Sequence, residues 1–202
     1  DGQARQTDFA LLAESDISLV IATAFPLPPA DNQTDPSVNE LIAEELTLYH
    51  TWAKRHGWHI VQSYSDVDLN QRSLLLHVEG LNVFAGTAVD WERLRDWQAL
   101  GLRSVGPFWN IDNALGGGTN SPALGLTSLC FEVVEYIETE GLLLDLAHAS
   151  RQSFWDIAAH TKRPLLVSHG NAAALCPSPR NYTDEQLRAI ANSGGVIGVF
   201  AA

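Results

Sequence analysis

Residues 141–181 read GLLLDLAHASRQSFWDIAAHTKRPLLVSHGNAAALCPSPRN, from Gly141 to Asn181. Two apolar runs in this stretch, 142–147 and 164–168, are each followed by a histidine, His148 and His169. A short apolar run bounded by polar residues reads as a strand buried on both faces, as in a parallel sheet. Between the runs, Phe154, Ile157 and Ala158 fall on one face at helical spacing, and Ser150 stands where an N-cap belongs. The unit is strand, helix, strand. Both strands of such a unit run the same way, so both histidines are expected at the rim formed by the strands' C-terminal ends. A strand-end histidine can also do no more than bond a local carbonyl, but a matched pair points to a metal or acid/base site.

Working outward, residues 74–79 form another buried run that ends HVEG, with His77 and Glu79 two apart and therefore on one strand face. Either could be a ligand; Gly80 lets the chain turn after them. Further runs at 17–25, 102–106 and 196–200 bring the expected strands to about six, with a shorter one within 58–63. The segments between them read as helices. Asp35-Pro36 opens one that carries Leu41, Ile42, Leu46, Leu48, Tyr49 and Trp52 near one face and stops at Gly57. Asp90 opens another that Gly101 closes, 126–141 forms a third, and Thr183-Asp184 caps a fourth that ends at Gly194-Gly195. Alternating strands and helices indicate an α/β fold with a parallel sheet.

Residues 26–33 read as a rim loop. The loop after Trp109, NIDNALGGGTN, has three consecutive glycines but lacks the Lys-Ser/Thr of a phosphate-binding loop, and reads as a mobile active-site loop. His50, His56 and His59 have no acidic or thiol partner at ligand spacing and read as surface or partly buried polar groups.

The chain has 202 residues, 46% of them hydrophobic, enough for one globular unit with a core. Its formal net charge of -12 and the lack of a Lys/Arg cluster argue against nucleic acid and against an anionic membrane surface. No run is long enough for a transmembrane helix. Cys130 and Cys176 are too few for a disulfide framework, are not spaced as zinc ligands, and read as free buried thiols. The chain opens on Asp1 and holds no methionine, which reads as a piece of a longer product; this leaves localisation open.

The sequence DLAHAS, followed by LLVSHGN and then Arg180-Asn181, resembles the renal (membrane) dipeptidase family, zinc metallopeptidases with an amidohydrolase-type barrel. The resemblance implies an eight-stranded (β/α)8 barrel of the TIM type, of which residues 1–202 supply a single partial domain with about six units. It implies hydrolysis of a dipeptide at a binuclear zinc site. Glu79 would be the bridging and catalytic carboxylate and His148 and His169 ligands of one zinc, with His77 a packing or supporting neighbour. Arg180 would hold the substrate's free carboxylate, with Asn181 beside it as a second, mainly loop-shaping, substrate-side residue and Ser168 as a loop-shaping neighbour. Trp109 stands where family members have a substrate-contacting histidine, which leaves the polar contact to substrate unassigned.

The family's opening H-x-D, which carries ligands of the other zinc, occurs nowhere in the sequence, and Asp8 and Asp16 match later positions. The proton-handling aspartate of the family's last strand is likewise missing. The chain is thus expected to be an inactive fragment lacking both ends. A homodimer is compatible with the resemblance. Three other readings stay open: another amidohydrolase, although no strand ends in the bridging lysine such enzymes use; a barrel that has lost its metal; and a truncated product without function.

Overall fold

The computed structural model describes residues 8–25, 37–81 and 89–200. Along the chain lie α1 (Phe9–Glu14), β1 (Leu19–Ala24), α2 (Ser37–His56), β2 (His59–Ile60), a 3-10 turn (Tyr64–Asp66), β3 (Ser73–Glu79), α3 (Trp91–Ala99), β4 (Leu102–Gly106), α4 (Ser128–Thr139), β5 (Leu143–Leu144), α5 (Arg151–His160), β6 (Leu166–Gly170), α6 (Asp184–Asn192) and β7 (Val196–Val199). The rim loop at 26–33 and the Asp35-Pro36 helix start lie outside the described residues.

Every strand pair is parallel. β1, β3, β4 and β5 lie side by side, β2 pairs with the start of β3, and β6 pairs with β7. A parallel bridge between Asp145 and Leu166 joins the two groups, and the Leu146 N–H donates to the Leu166 carbonyl at 2.8 Å. Apart from the short β2, the strands therefore neighbour one another in chain order, the order of a (β/α)8 barrel wall. All C-terminal strand ends face one side. Residues 73–78 of β3 are buried on both faces, as the continuous apolar run required.

The helices cover this wall with Trp97 and Phe154, which with Phe108 of the loop after β4 are among the largest fully buried side chains. In α2 the buried face is Val38, Ile42, Leu46 and Ala53, with Tyr49 partly buried. Leu41, Leu48 and Trp52, expected on that face, are exposed at 44%, 42% and 36%. The reason is the helical repeat: 42, 46, 49 and 53 recur at steps of four and three, and the other three fall on a flanking face. Punctuation follows the sequence. Asp90, Thr127, Ser150 and Thr183 cap α3, α4, α5 and α6 by accepting backbone N–H groups, and Gly57 ends α2 at φ 69°. The Thr127 cap starts α4 two residues later than expected.

One strand differs in a way that matters for the site. The run 142–148 pairs regularly only over Leu143–Leu144. Beyond it, the Asp145 carboxylate accepts the Ala147 N–H at 3.0 Å and the Tyr182 hydroxyl donates to the Leu146 carbonyl at 2.9 Å. The backbone ladder ends with the Leu146 N–H, and past it these side-chain bonds hold the chain as it turns before His148.

Candidate metal centre

Glu79 is the last residue of β3, His169 lies within β6, and His148 sits four residues past β5 with φ 63°, the one non-glycine at positive φ among the described residues. Backbone in that region is sparsely populated and persists where surrounding bonds over-determine it. Here Thr119 Oγ1 donates to the His148 carbonyl at 3.3 Å, and His148 Nδ1 lies 2.9 Å from Asn110 Oδ1.

These three side chains meet. His148 Nε2 is 2.6 Å from Glu79 Oε1 and 3.1 Å from His169 Nε2, and His169 Nε2 is 3.8 Å from the same Glu79 oxygen. One donor atom from each residue lies within 4.8 Å of the others. The convergence expected from three parallel strand ends is the one observed.

The bonds behind the rings decide which nitrogen faces the centre. Asn110 Oδ1 can only accept, so His148 Nδ1 carries the proton. The Ser168 hydroxyl donates to Asp145 Oδ2, so its oxygen accepts from His169 Nδ1 at 2.8 Å. Both Nε2 lone pairs therefore point at Glu79. Three lone-pair donors packed this closely repel one another unless positive charge lies among them, and two imidazoles with a carboxylate are a donor set suited to a transition metal. The residues fit a metal ion.

Electrostatics agree with a carboxylate kept ionised. Burial works to raise the Glu79 carboxyl, but its close contact with His148 and the nearby His169 and His77 hold it below its usual value. Burial first, then the Arg180 guanidinium, hold His169 below the usual imidazole value despite Glu79. His77 is no ligand in this arrangement. It is buried at 1% exposure, with Nδ1 2.9 Å from Ser104 Oγ and Nε2 3.5 Å from Asp145 Oδ2, and burial keeps its proton affinity low against the pull of Asp145 and Glu79.

Arg180 lies beside the site: its Nη2 donates to the His169 carbonyl at 3.1 Å, and its buried Nη1 has no hydrogen-bond partner among the described residues. Arg180 is half-buried. Asn181 faces its own loop, with Nδ2 donating to the Cys176 carbonyl at 2.7 Å. Trp109 is half-buried against Phe25, ring centroids 5.1 Å apart, next to the Asn110 that orients His148.

The glycine-rich loop is not free to swing. Its backbone pairs Gly116 with Asn113 and Leu126 and Gly118 with Ala149, Asp112 accepts from the Gly118 N–H and from Ser121, and Leu115 and Thr119 are buried. A Cβ on Gly118 would overlap the Trp109 and Ile111 carbonyls. The glycines serve close packing, which holds Asn110 against His148. The cysteines are both free, but only Cys130 is buried, its thiol pushed up to about 12 by burial; Cys176 is exposed because its loop lies on the surface.

Asp145 and Asn110 are the residues that sequence reasoning passed over. Asp145 was visible as a lone carboxylate inside an apolar run, a signal that it needs partners; Asn110, in an irregular loop, gave none. Ser168, read as a loop-shaping neighbour, is a link between Asp145 and His169.

The membrane dipeptidase (peptidase family M19) model matches residues 1–202. A Klebsiella pneumoniae protein encoded in the pqqA 5' region is 43% identical over 134 residues, covering 63% of this chain and 48% of that protein. Among solved structures, dipeptidase AC, a metallopeptidase of family M19, superposes with a TM-score of 0.81 at 26% identity, over 98% of this chain and 63% of that one. A Rhodobacter sphaeroides metallopeptidase liganded with a phosphinate mimic of the dipeptide L-Ala-D-Ala gives 0.80 at 23% identity, over 98% and 65%, and shares the fold. The chain spans about half the length of the curated relatives it matches. Among the described residues no helix is long and apolar enough to cross a membrane. With the barrel-wall strand order, a metal-fitting cluster at the strand ends and a family match over its whole length, the chain belongs to the membrane dipeptidase family, peptidase family M19.

Proposed function

We propose that Glu79, His148 and His169 hold zinc and that the chain contributes this half of a binuclear site for hydrolysing the peptide bond of dipeptides. The observation that carries the reading is the convergence of both Nε2 atoms on Glu79 Oε1, with each Nδ1 committed to a partner behind it. Two histidines and a carboxylate match catalytic zinc sites better than the all-oxygen cages of calcium or magnesium. Zinc bound there supplies Lewis-acid activation of water and of the scissile carbonyl.

The protein's own groups do the rest. Asn110 and Ser168 hold the two rings in the tautomer that presents Nε2. Both histidines approach Glu79 at Oε1, and Glu79 would be the carboxylate shared with a second ion. Arg180 offers a fixed cationic fork for a substrate carboxylate, and its Nη1 needs an acceptor. Trp109 with Phe25 forms an apolar wall for a substrate side chain, and Asn181 keeps the Arg180 loop closed.

The test is a hydrolysis assay on an alanyl dipeptide. Set in a protein of the family's full length, the chain is expected to support hydrolysis that a chelator abolishes and zinc restores. The 202 residues alone, which contain no H-x-D, are expected to bind zinc and hydrolyse nothing measurable. Chelator-resistant hydrolysis, or the full rate from the 202 residues alone, would contradict the reading.

A further inference from the structure

Asp145 is wholly buried, and a lone ionised carboxylate at such depth is costly unless its lone pairs are used. Its two oxygens are used differently. Oδ1 accepts two backbone N–H groups, Ala147 at 3.0 Å and Ser168 at 2.8 Å. Oδ2 accepts the Ser168 hydroxyl and faces His77 Nε2 at 3.5 Å. The first oxygen ties the turn before His148 to β6. The second fixes which way the Ser168 hydroxyl points, and that hydroxyl is the only hydrogen-bond partner the described residues give His169 Nδ1.

We infer that Asp145 is a positioning residue for the metal centre: by accepting the Ser168 hydroxyl proton it makes Ser168 Oγ an acceptor, which keeps the His169 proton on Nδ1 and leaves the Nε2 lone pair for the metal. This rests on the proposed role of His169 as a ligand. It turns on the direction of two hydrogen bonds and involves no gain or loss of a proton. His77, with Nδ1 on Ser104 and Nε2 toward Asp145, closes the far side of the carboxylate and excludes water from it.

The chain of bonds predicts what Asp145→Asn does. The amide oxygen should keep the place of Oδ1, where two N–H groups need an acceptor, and the NH2 should take the place of Oδ2. The NH2 then donates to Ser168 Oγ, whose own proton turns to His169 Nδ1. Having lost Asp145 Oδ2 as its acceptor, that proton has His169 Nδ1 as the remaining one among the side-chain partners of Ser168, so His169 is expected in the other tautomer, with the proton on Nε2. The backbone bonds survive, so a purely structural role predicts no such change.

Two readouts separate the positioning role from the metal assignment. Nitrogen-15 NMR of histidine-labelled, metal-free protein reads the His169 tautomer directly, and competition with a chelator reads zinc affinity. In the parent protein His169 should carry its proton on Nδ1; in Asp145→Asn it should carry it on Nε2, with zinc affinity lowered about 10- to 100-fold, the range for supporting residues of metal-bound histidines. Ser168→Ala, which removes the link and leaves both backbone bonds of Asp145, should give a mixture of tautomers and an intermediate affinity; it also serves if Asp145→Asn fails to fold. A folded Asp145→Asn with His169 still protonated on Nδ1 overturns the inference, whatever its zinc affinity. A tautomer switch in a protein that binds no zinc upholds the positioning role and removes the proposed metal site instead.

Discussion

His148→Ala is expected to lower zinc affinity at this centre by more than about 100-fold, beyond the loss typical of removing only a supporting group. Two remaining ligands, Glu79 and His169, cannot surround the ion, and the lost ring is the one aimed by Asn110 and lying closest to Glu79, at 2.6 Å. The effect should be visible in stability. At a zinc concentration about 100 times the parent Kd, metal binding stabilises the parent by about 2.7 kcal/mol, whereas a variant bound 100-fold more weakly gains only about 0.4 kcal/mol. Thermal melts with and without zinc measure this. His169→Ala should behave alike, while His77→Ala, with its ring turned to Ser104 and Asp145, should keep most of the zinc response. An unchanged zinc-dependent shift in His148→Ala would remove His148 from the ligand set.

Arg180→Ala should raise KM for a dipeptide about 10- to 100-fold in the full-length enzyme, since a hydrogen bond to a charged group contributes about 1.5–3 kcal/mol, and should change kcat much less. The dipeptide's C-terminal amide, which offers no carboxylate, should already be a poor substrate and should be little affected. Arg180 also donates to the His169 carbonyl at 3.1 Å, so its loss could disturb the metal centre. Arg180→Lys separates the two effects: it keeps the charge but lacks the planar fork, and should recover only part of the KM. Equal KM increases for the dipeptide and its amide would show that Arg180 does not read the carboxylate.

Much of the fold was legible because burial on both strand faces leaves an apolar run that periodicity can find. The run ending at Glu79 was such a case; the run ending at His169 is as apolar in sequence but only partly buried, and the two carried two of the three converging groups. His148 was legible in position but not in conformation. Nothing local in LLLDLAH shows that Asp145 will capture the Ala147 N–H, cut the strand to two residues and throw His148 to positive φ. That outcome depends on Ser168, 23 residues away, and on Tyr182. The glycine loop was misread for a related reason. Three glycines signal freedom when considered locally, and only the neighbouring carbonyls of Trp109, Ile111 and Leu124 show that here they permit close packing. Arg180 stands in a proline-flanked loop yet is half-buried, because burial of a long side chain is decided by the surface it folds against.

Anomalous scattering at the zinc edge from crystals of the protein grown with zinc shows whether Glu79, His148 and His169 bind one metal ion. An anomalous peak is expected about 2.0–2.1 Å from Nε2 of both histidines and about 2.0–2.2 Å from a Glu79 oxygen. A zinc peak bound elsewhere, with these three side chains still in mutual contact and no ion among them, would contradict the assignment.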